Sequence, residues 1–168
     1  MKKSQLYGLL GGFISSAALA VLYVTDKNYL LEGYEKLSWL IIWAACFIAV
    51  AQERSAKEDQ FIGFYEALRP AFQTFVYAYV IKTIFIYLLF VYIDPDLLEL
   101  SKQKAIEIFI EHKPAEEPQE IFNGRLEAYK KEYFGPRLFD LGIMLEVILG
   151  FVLSAITAFV MRRDRPDY

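Results

Sequence analysis

Apolar positions along the chain fall into four blocks separated by polar connections, and the block Ala71–Ile93 sets the reading. It has 23 residues, and Lys82 at its centre is the one that carries a charge. As a helix rising about 1.5 Å per residue it reaches roughly 34 Å, slightly more than the roughly 30 Å hydrocarbon core of a bilayer. A helix apolar on every side has no place in a water-soluble domain of this size, so the block predicts a membrane span. A lysine at mid-span is costly and demands a partner or a wet cavity.

The other blocks follow the same logic. Leu6–Val24 holds 19 uncharged residues. Ala18-Leu19-Ala20 resembles a signal-peptide cleavage site, but the apolar run continues through Val24, which favours an uncleaved first span. Leu37–Ala51 is uncharged over 15 residues. It extends from about residue 34 to 52 if Glu35 and Lys36 lift their heads toward the interface. Leu138–Met161 is the fourth span, with Asp140 near its start. The expected fold class is all-α, a polytopic membrane protein with spans over about 6–24, 34–52, 71–93 and 138–161.

The connections are unequal. Thr25–Lys36 is short. Glu53–Gly63 is mixed in charge and leads into Phe61–Arg69, which reads as an amphipathic helix near the surface with Phe61, Phe64, Tyr65 and Leu68 on its apolar side. Pro70 follows and encourages a bend. Residues 94–137 carry seven Lys/Arg and ten Asp/Glu. Asp94-Pro95-Asp96 is a helix start, and Phe122, Leu126, Tyr129 and Tyr133 recur at helical spacing. Pro114 and Pro118 separate the two halves, and Gly135-Pro136 ends the second. The segment predicts a charged helical hairpin outside the membrane, its charges a solvated face.

Composition narrows the function. The chain is 56% hydrophobic, above the roughly 45–50% of soluble domains. Its net charge of −3 gives no field for nucleic acid. One cysteine, Cys46, and one histidine, His112, supply neither a disulfide nor a Cys/His metal site. No nucleotide loop, nucleophile elbow or zinc-protease motif is present. Neither a cofactor nor catalysis by this chain is expected.

Two spans carry small-residue faces. Gly8, Gly12, Ser16 and Ala20 recur every four residues in the first, and Gly142, Gly150, Ser154 and Ala158 fall on one face of the fourth. Such faces let helices approach closely, although glycine and alanine are common in membrane helices in any case. Glu146 lies on the second of these faces. Trp39 and Trp43, four apart, read as headgroup-level anchors.

Four spans put both termini on one side. That side carries eight Lys/Arg and the other nine, but the eight are concentrated at span ends: Lys2, Lys3, Arg54, Lys57, Arg69, Arg162, Arg163 and Arg165. The positive-inside rule then places both termini in the cytoplasm. Lys82 is about 16 Å and Glu146 about 12 Å from the outer ends of their spans, so the two can pair if spans three and four are neighbours. Such a pair neutralises two expensive groups and fixes register, or it serves an ion relay or an anionic lipid head.

The Met1-Lys2-Lys3 start before a glycine-containing span, the segment Phe64-Tyr65-Glu66-Ala67-Leu68, the long charged helical insert and the basic tail resemble an uncharacterised family of small four-helix inner-membrane proteins common in Bacteroidetes, a domain of unknown function. Pro70 departs from the family pattern. The resemblance implies a bacterial inner-membrane setting, and its members often stand near polyprenyl-phosphate glycosyltransferases. The leading functional expectation is a non-enzymatic accessory subunit of a larger membrane complex, possible partners including such a glycosyltransferase, docked through the small-residue faces. The alternative is a small transporter or lipid-binding protein using Lys82 and Glu146. A carrier commonly has an internal repeat, and the halves of this chain do not match.

Overall fold

The computed structural model describes residues 3–31, 33, 36–114, 118–133 and 141–163. Lys2, Glu35, Gly135, Pro136, Asp140 and Arg165 lie outside them, as do residues 34 and 138, where the sequence starts the second and fourth spans. Among the described residues seven α-helices follow in order: α1 (Lys3–Thr25), α2 (Lys27–Leu31), α3 (Leu37–Ser55), α4 (Phe64–Leu88), α5 (Pro95–Glu111), α6 (Gln119–Tyr133) and α7 (Leu141–Met161). One π-helical turn, Leu89–Ile93, continues α4. Among the described residues four helical stretches are long and apolar enough to cross a bilayer: Lys3–Thr25, Leu37–Ser55, Phe64–Ile93 and Ile143–Met161. The protein is thus all-α and multi-pass.

The chain divides into two compact units, Met1–Tyr87 with Leu141–Tyr168, and Leu88–Asp140. In the first, α1 lies against α3 and α4 through its glycines. A β-carbon added at Gly8 would sit 2.6 Å from Tyr77 Cβ and 2.8 Å from the Thr74 carbonyl oxygen, and one at Gly11 would sit 2.7 Å from Ala45 Cβ. Only hydrogen fits there, and that lets the backbones close. The approach also supports polar bonds suited to a lipid setting. Ser4 Oγ donates to Gln73 Oε1 at 3.0 Å, and Thr74 Oγ1 donates to the Ser4 carbonyl at 3.0 Å. The core is completed by Ile42, Cys46 and Val50 of α3, Ala71, Phe75 and Ala78 of α4, and Ala158 of α7.

Of the segment Phe61–Arg69, read from sequence as an amphipathic entry helix, Phe64–Arg69 form the start of α4 and Phe61–Gly63 precede it. Glu66, in the first turn, reaches back to accept the Gly63 backbone N–H at 3.1 Å, which caps the helix three residues upstream. Helix formation therefore starts before Pro70, whose ring is buried within α4. Lys57 holds the same carboxylate at 2.7 Å. Beside this start, Ile62 and Arg163 exchange two backbone hydrogen bonds of 3.1 and 2.9 Å, tying the α3–α4 loop to the end of α7. Asp26 starts the short α2 by accepting the Asn28 backbone N–H at 2.9 Å.

The second unit folds on a small apolar seam. Pro95 occupies the first turn of α5, where its missing N–H costs nothing. Leu97 is buried. Phe109 of α5 stacks on Phe122 and Tyr129 of α6, with ring centroids 5.8 and 4.5 Å apart. Lys113 and Arg125 cover Phe122 and Phe109 with their charged ends, leaving the mixed charges of both helices outward.

Candidate functional site

The functional candidates converge where α3, α4 and α7 meet. Lys82 Nζ stands 3.9 Å from Glu146 Oε2, with the lysine side chain 4% and the glutamate side chain 45% exposed. That separation is at the outer limit of an ion pair. The ammonium lies 4.7 Å from the centre of the Trp39 ring and 5.8 Å from that of Tyr79. Aromatic faces stabilise a cation by about 0.5–2 kcal/mol, more when water is excluded. Trp39 and Tyr79 are held in turn by Phe75, which stacks on them at 5.8 and 5.5 Å. The aromatic wall is therefore fixed before any ligand arrives.

Why the wall stands here follows from local spacing. Phe75, Tyr79 and Lys82 lie four and three residues apart on α4, so they share one face. Gly150 of α7 makes room for Phe75, since a β-carbon built there would fall 1.8 Å from Phe75 Cζ. Phe72 meets Phe151 edge-on at 5.4 Å. These contacts seat α7 against α4 at Gly150. One turn toward the start of α7, Glu146 takes the matching place and faces Lys82.

Above the aromatic wall the three helices leave a cleft of about 750 Å³, lined by Lys36 and Trp39 of α3 with its preceding residue, by Tyr79, Lys82, Thr83, Ile86 and Tyr87 of α4, and by Ile143, Glu146, Leu149 and Leu153 of α7. Its volume lies in the roughly 300–1,000 Å³ range of small-molecule sites. Tyr87, Ile143 and Leu149 are exposed on its open side. The Tyr79 hydroxyl is turned toward Glu146 and Thr83. The site offers a buried cation, a half-exposed carboxylate, three hydroxyls and apolar walls. Among the described residues no three His, Cys, Asp or Glu side chains gather to hold a metal.

Lys82 meets α3 near the start of that helix. Counted along Ala71–Ile93 it is central. Its ammonium, however, lies beside Trp39, the third residue of α3, within about 5 Å of the helix start at 1.5 Å per residue. Helix α3 is 19 residues long, and the stretch containing Lys82 is 30.

The small-residue faces are occupied inside the chain. Gly8 and Gly12 meet α4. Ser16, Ser154 and Ala158 are buried, with Ser154 Oγ bonded to the Gly150 carbonyl at 2.8 Å. Ala20 is half-buried. Gly142 belongs to α7, but its surroundings lie outside the described residues. Trp43 donates from Nε1 to Thr157 Oγ1 at 2.9 Å, and Trp39 forms the cleft wall. Sequence reasoning passed over Tyr79, Thr83, Tyr87, Leu149 and Leu153. For Tyr79, Leu149 and Leu153 the signal was helical spacing from Lys82 or Glu146, at offsets of three or seven; Thr83 and Tyr87, one and five residues beyond Lys82, carry no such signal.

Comparison with curated proteins and with solved structures found no match. A protein family does match, over residues 6–163 of 168, and its description is a protein of unknown function. The match takes in all four apolar stretches bar the first residues of α1, the intervening charged helices, and both members of the Lys82–Glu146 pair, so the chain belongs to the DUF4199 family.

Proposed function

We propose that this protein is a non-enzymatic membrane protein that holds an amphipathic molecule with an acidic head in the α3–α4–α7 cleft. The observation that carries the reading is the cleft itself: apolar walls enclosing about 750 Å³ and converging on Lys82. A packed structural ion pair leaves no such space beside it. The open side bears Tyr87, Ile143 and Leu149, so in a bilayer acyl chains meet the apolar wall while the head reaches the ammonium. Lys36, also on the lining, adds a second cation for an incoming anion.

The setting we propose is the bacterial inner membrane with both termini cytoplasmic, supported by the density of Lys and Arg at the span ends of that side. The cleft lies at the end where α3 begins, which this topology directs outward. An accessory role beside a larger complex, a glycosyltransferase included, draws less support. The glycine faces on which docking was argued are filled by α4 and by Phe75 of this same chain.

The test is extraction of the tagged protein in a mild detergent, followed by mass spectrometry of the lipids and proteins that accompany it. Enrichment of an acidic lipid over its share of the bulk membrane, lost in Lys82→Met, supports lipid binding. A bulk-like lipid profile in both proteins refutes it. A stoichiometric protein partner would return the accessory role to first place.

A further inference from the structure

Glu146 poses a problem for any acidic ligand. Its carboxylate already stands 3.9 Å from the Lys82 ammonium, so an anionic head arriving there meets a like charge. At the effective dielectric of a protein surface, two anions about 5 Å apart weaken binding by about a hundredfold. The two members of the pair are held very differently. Lys82 is 4% exposed and lies under Trp39 and Tyr79. Glu146 is 45% exposed and borders the open space of the cleft. Of the two, only the carboxylate has room to leave.

We propose that Glu146 is a displaceable counter-ion: an acidic lipid head enters the cleft by taking the place of the Glu146 carboxylate beside Lys82. The inference rests on the cleft being a lipid site. The exchange keeps the buried ammonium opposite an anion both with and without ligand, which offsets the cost of holding a charge away from water. It also makes the site selective. A zwitterionic lipid brings an ammonium of its own and gains nothing from displacing the glutamate, while an acidic head does. When the lipid leaves, Glu146 returns, so binding remains reversible.

Trp39 reports on the cleft from within, and Trp43→Phe removes the other tryptophan, which does not line the cleft. The full chain carrying Trp43→Phe would be placed in phosphatidylcholine vesicles. Quenching of Trp39 fluorescence by brominated phosphatidylglycerol would be compared with quenching by brominated phosphatidylcholine. Stronger quenching by the acidic lipid is expected. Glu146→Gln should tighten phosphatidylglycerol binding by up to about fivefold, since a competing charge is removed. Lys82→Met should abolish the preference, and Lys82→Arg should keep it. The double variant Lys82→Met/Glu146→Gln leaves no orphaned charge and tests the cation even if the single variant folds poorly.

If the preference survives loss of Lys82, the cleft is not the acidic-lipid site and both proposals fall. If it depends on Lys82 but Glu146→Gln leaves binding unchanged or weaker, lipid binding stands and the exchange is overturned. A loss confined to phosphatidylglycerol with tighter phosphatidylcholine binding would likewise overturn it. Soluble glycerol phosphate should not compete at concentrations matching the lipid. Competition by it would show that the apolar wall contributes nothing, and would overturn the assignment to a lipid.

Discussion

Replacing Gly8 by alanine probes the closest helix contact in the membrane unit. The new methyl group would fall 2.6 Å from Tyr77 Cβ and 2.8 Å from the Thr74 carbonyl oxygen. Neither is the far end of a flexible side chain: one is fixed to the α4 backbone and the other belongs to it. Restoring an ordinary 3.4 Å contact from 2.6 Å requires α1 and α4 to part by about 0.8 Å. A radial gap of about 0.5–1 Å forfeits a quarter to a half of each dispersion contact along the seam. It also strains the Ser4–Gln73 and Thr74–Ser4 hydrogen bonds, both 3.0 Å. Overpacking costs about 1–3 kcal/mol, and alanine returns about 1 kcal/mol through helix propensity. The expected net destabilisation is up to about 2 kcal/mol. Unfolding by added dodecyl sulfate in mixed micelles, followed by fluorescence of Trp39 and Trp43, should show the midpoint at a lower sulfate fraction. A midpoint equal to or above that of the wild type would refute the close-packing argument. Gly124 in α6 offers the opposite case, with nothing within 4 Å of an added β-carbon. There Gly124→Ala should slow amide hydrogen exchange across Gln119–Tyr133 by up to about fivefold, the equivalent of about 1 kcal/mol.

Three further outcomes are expected. In a double-mutant cycle, Lys82→Met and Glu146→Gln should show a coupling of about 1 kcal/mol or less, because the 3.9 Å pair is long and its carboxylate half-exposed; sulfate-induced unfolding measures it, and a coupling of several kcal/mol would contradict a displaceable glutamate. Trp43→Phe removes a donor to Thr157, whose hydroxyl still bonds the Leu153 carbonyl at 2.9 Å, so the same assay should register a loss of only about 0.6 kcal/mol. Arg163→Pro deletes the N–H that donates to the Ile62 carbonyl at 2.9 Å and should speed limited proteolysis within Ala56–Gly63, with no change in the lipid preference of the cleft.

The four apolar stretches are visible in the sequence because membrane crossing is a local property: some 20 residues must be apolar regardless of what surrounds them. Helix starts were also local in part, as with Pro95 at the head of α5. The beginning of α4 was not, since its position depends on Glu66 folding back onto Gly63, and the lead-in segment merged with the span. Four-residue spacing exposed the small-residue faces of α1 and α7 but could not say whether another helix of this chain would cover them. That answer required α4 to lie against both, with Tyr77 over Gly8 and Phe75 over Gly150.

The candidate site divides in the same way. Composition alone marks Lys82 and Glu146 as charges inside apolar stretches, because a charge amid hydrocarbon stands out whatever the fold. Their separation depends on α4 and α7 being neighbours, and the aromatic ring over Lys82 depends on which residue of α3 it meets. The cleft belongs wholly to tertiary structure. It exists because α7 closes on Phe75 at Gly150 while space is left between α3, α4 and α7 beside Lys82 and Glu146, and a void between helices has no residue of its own in the sequence.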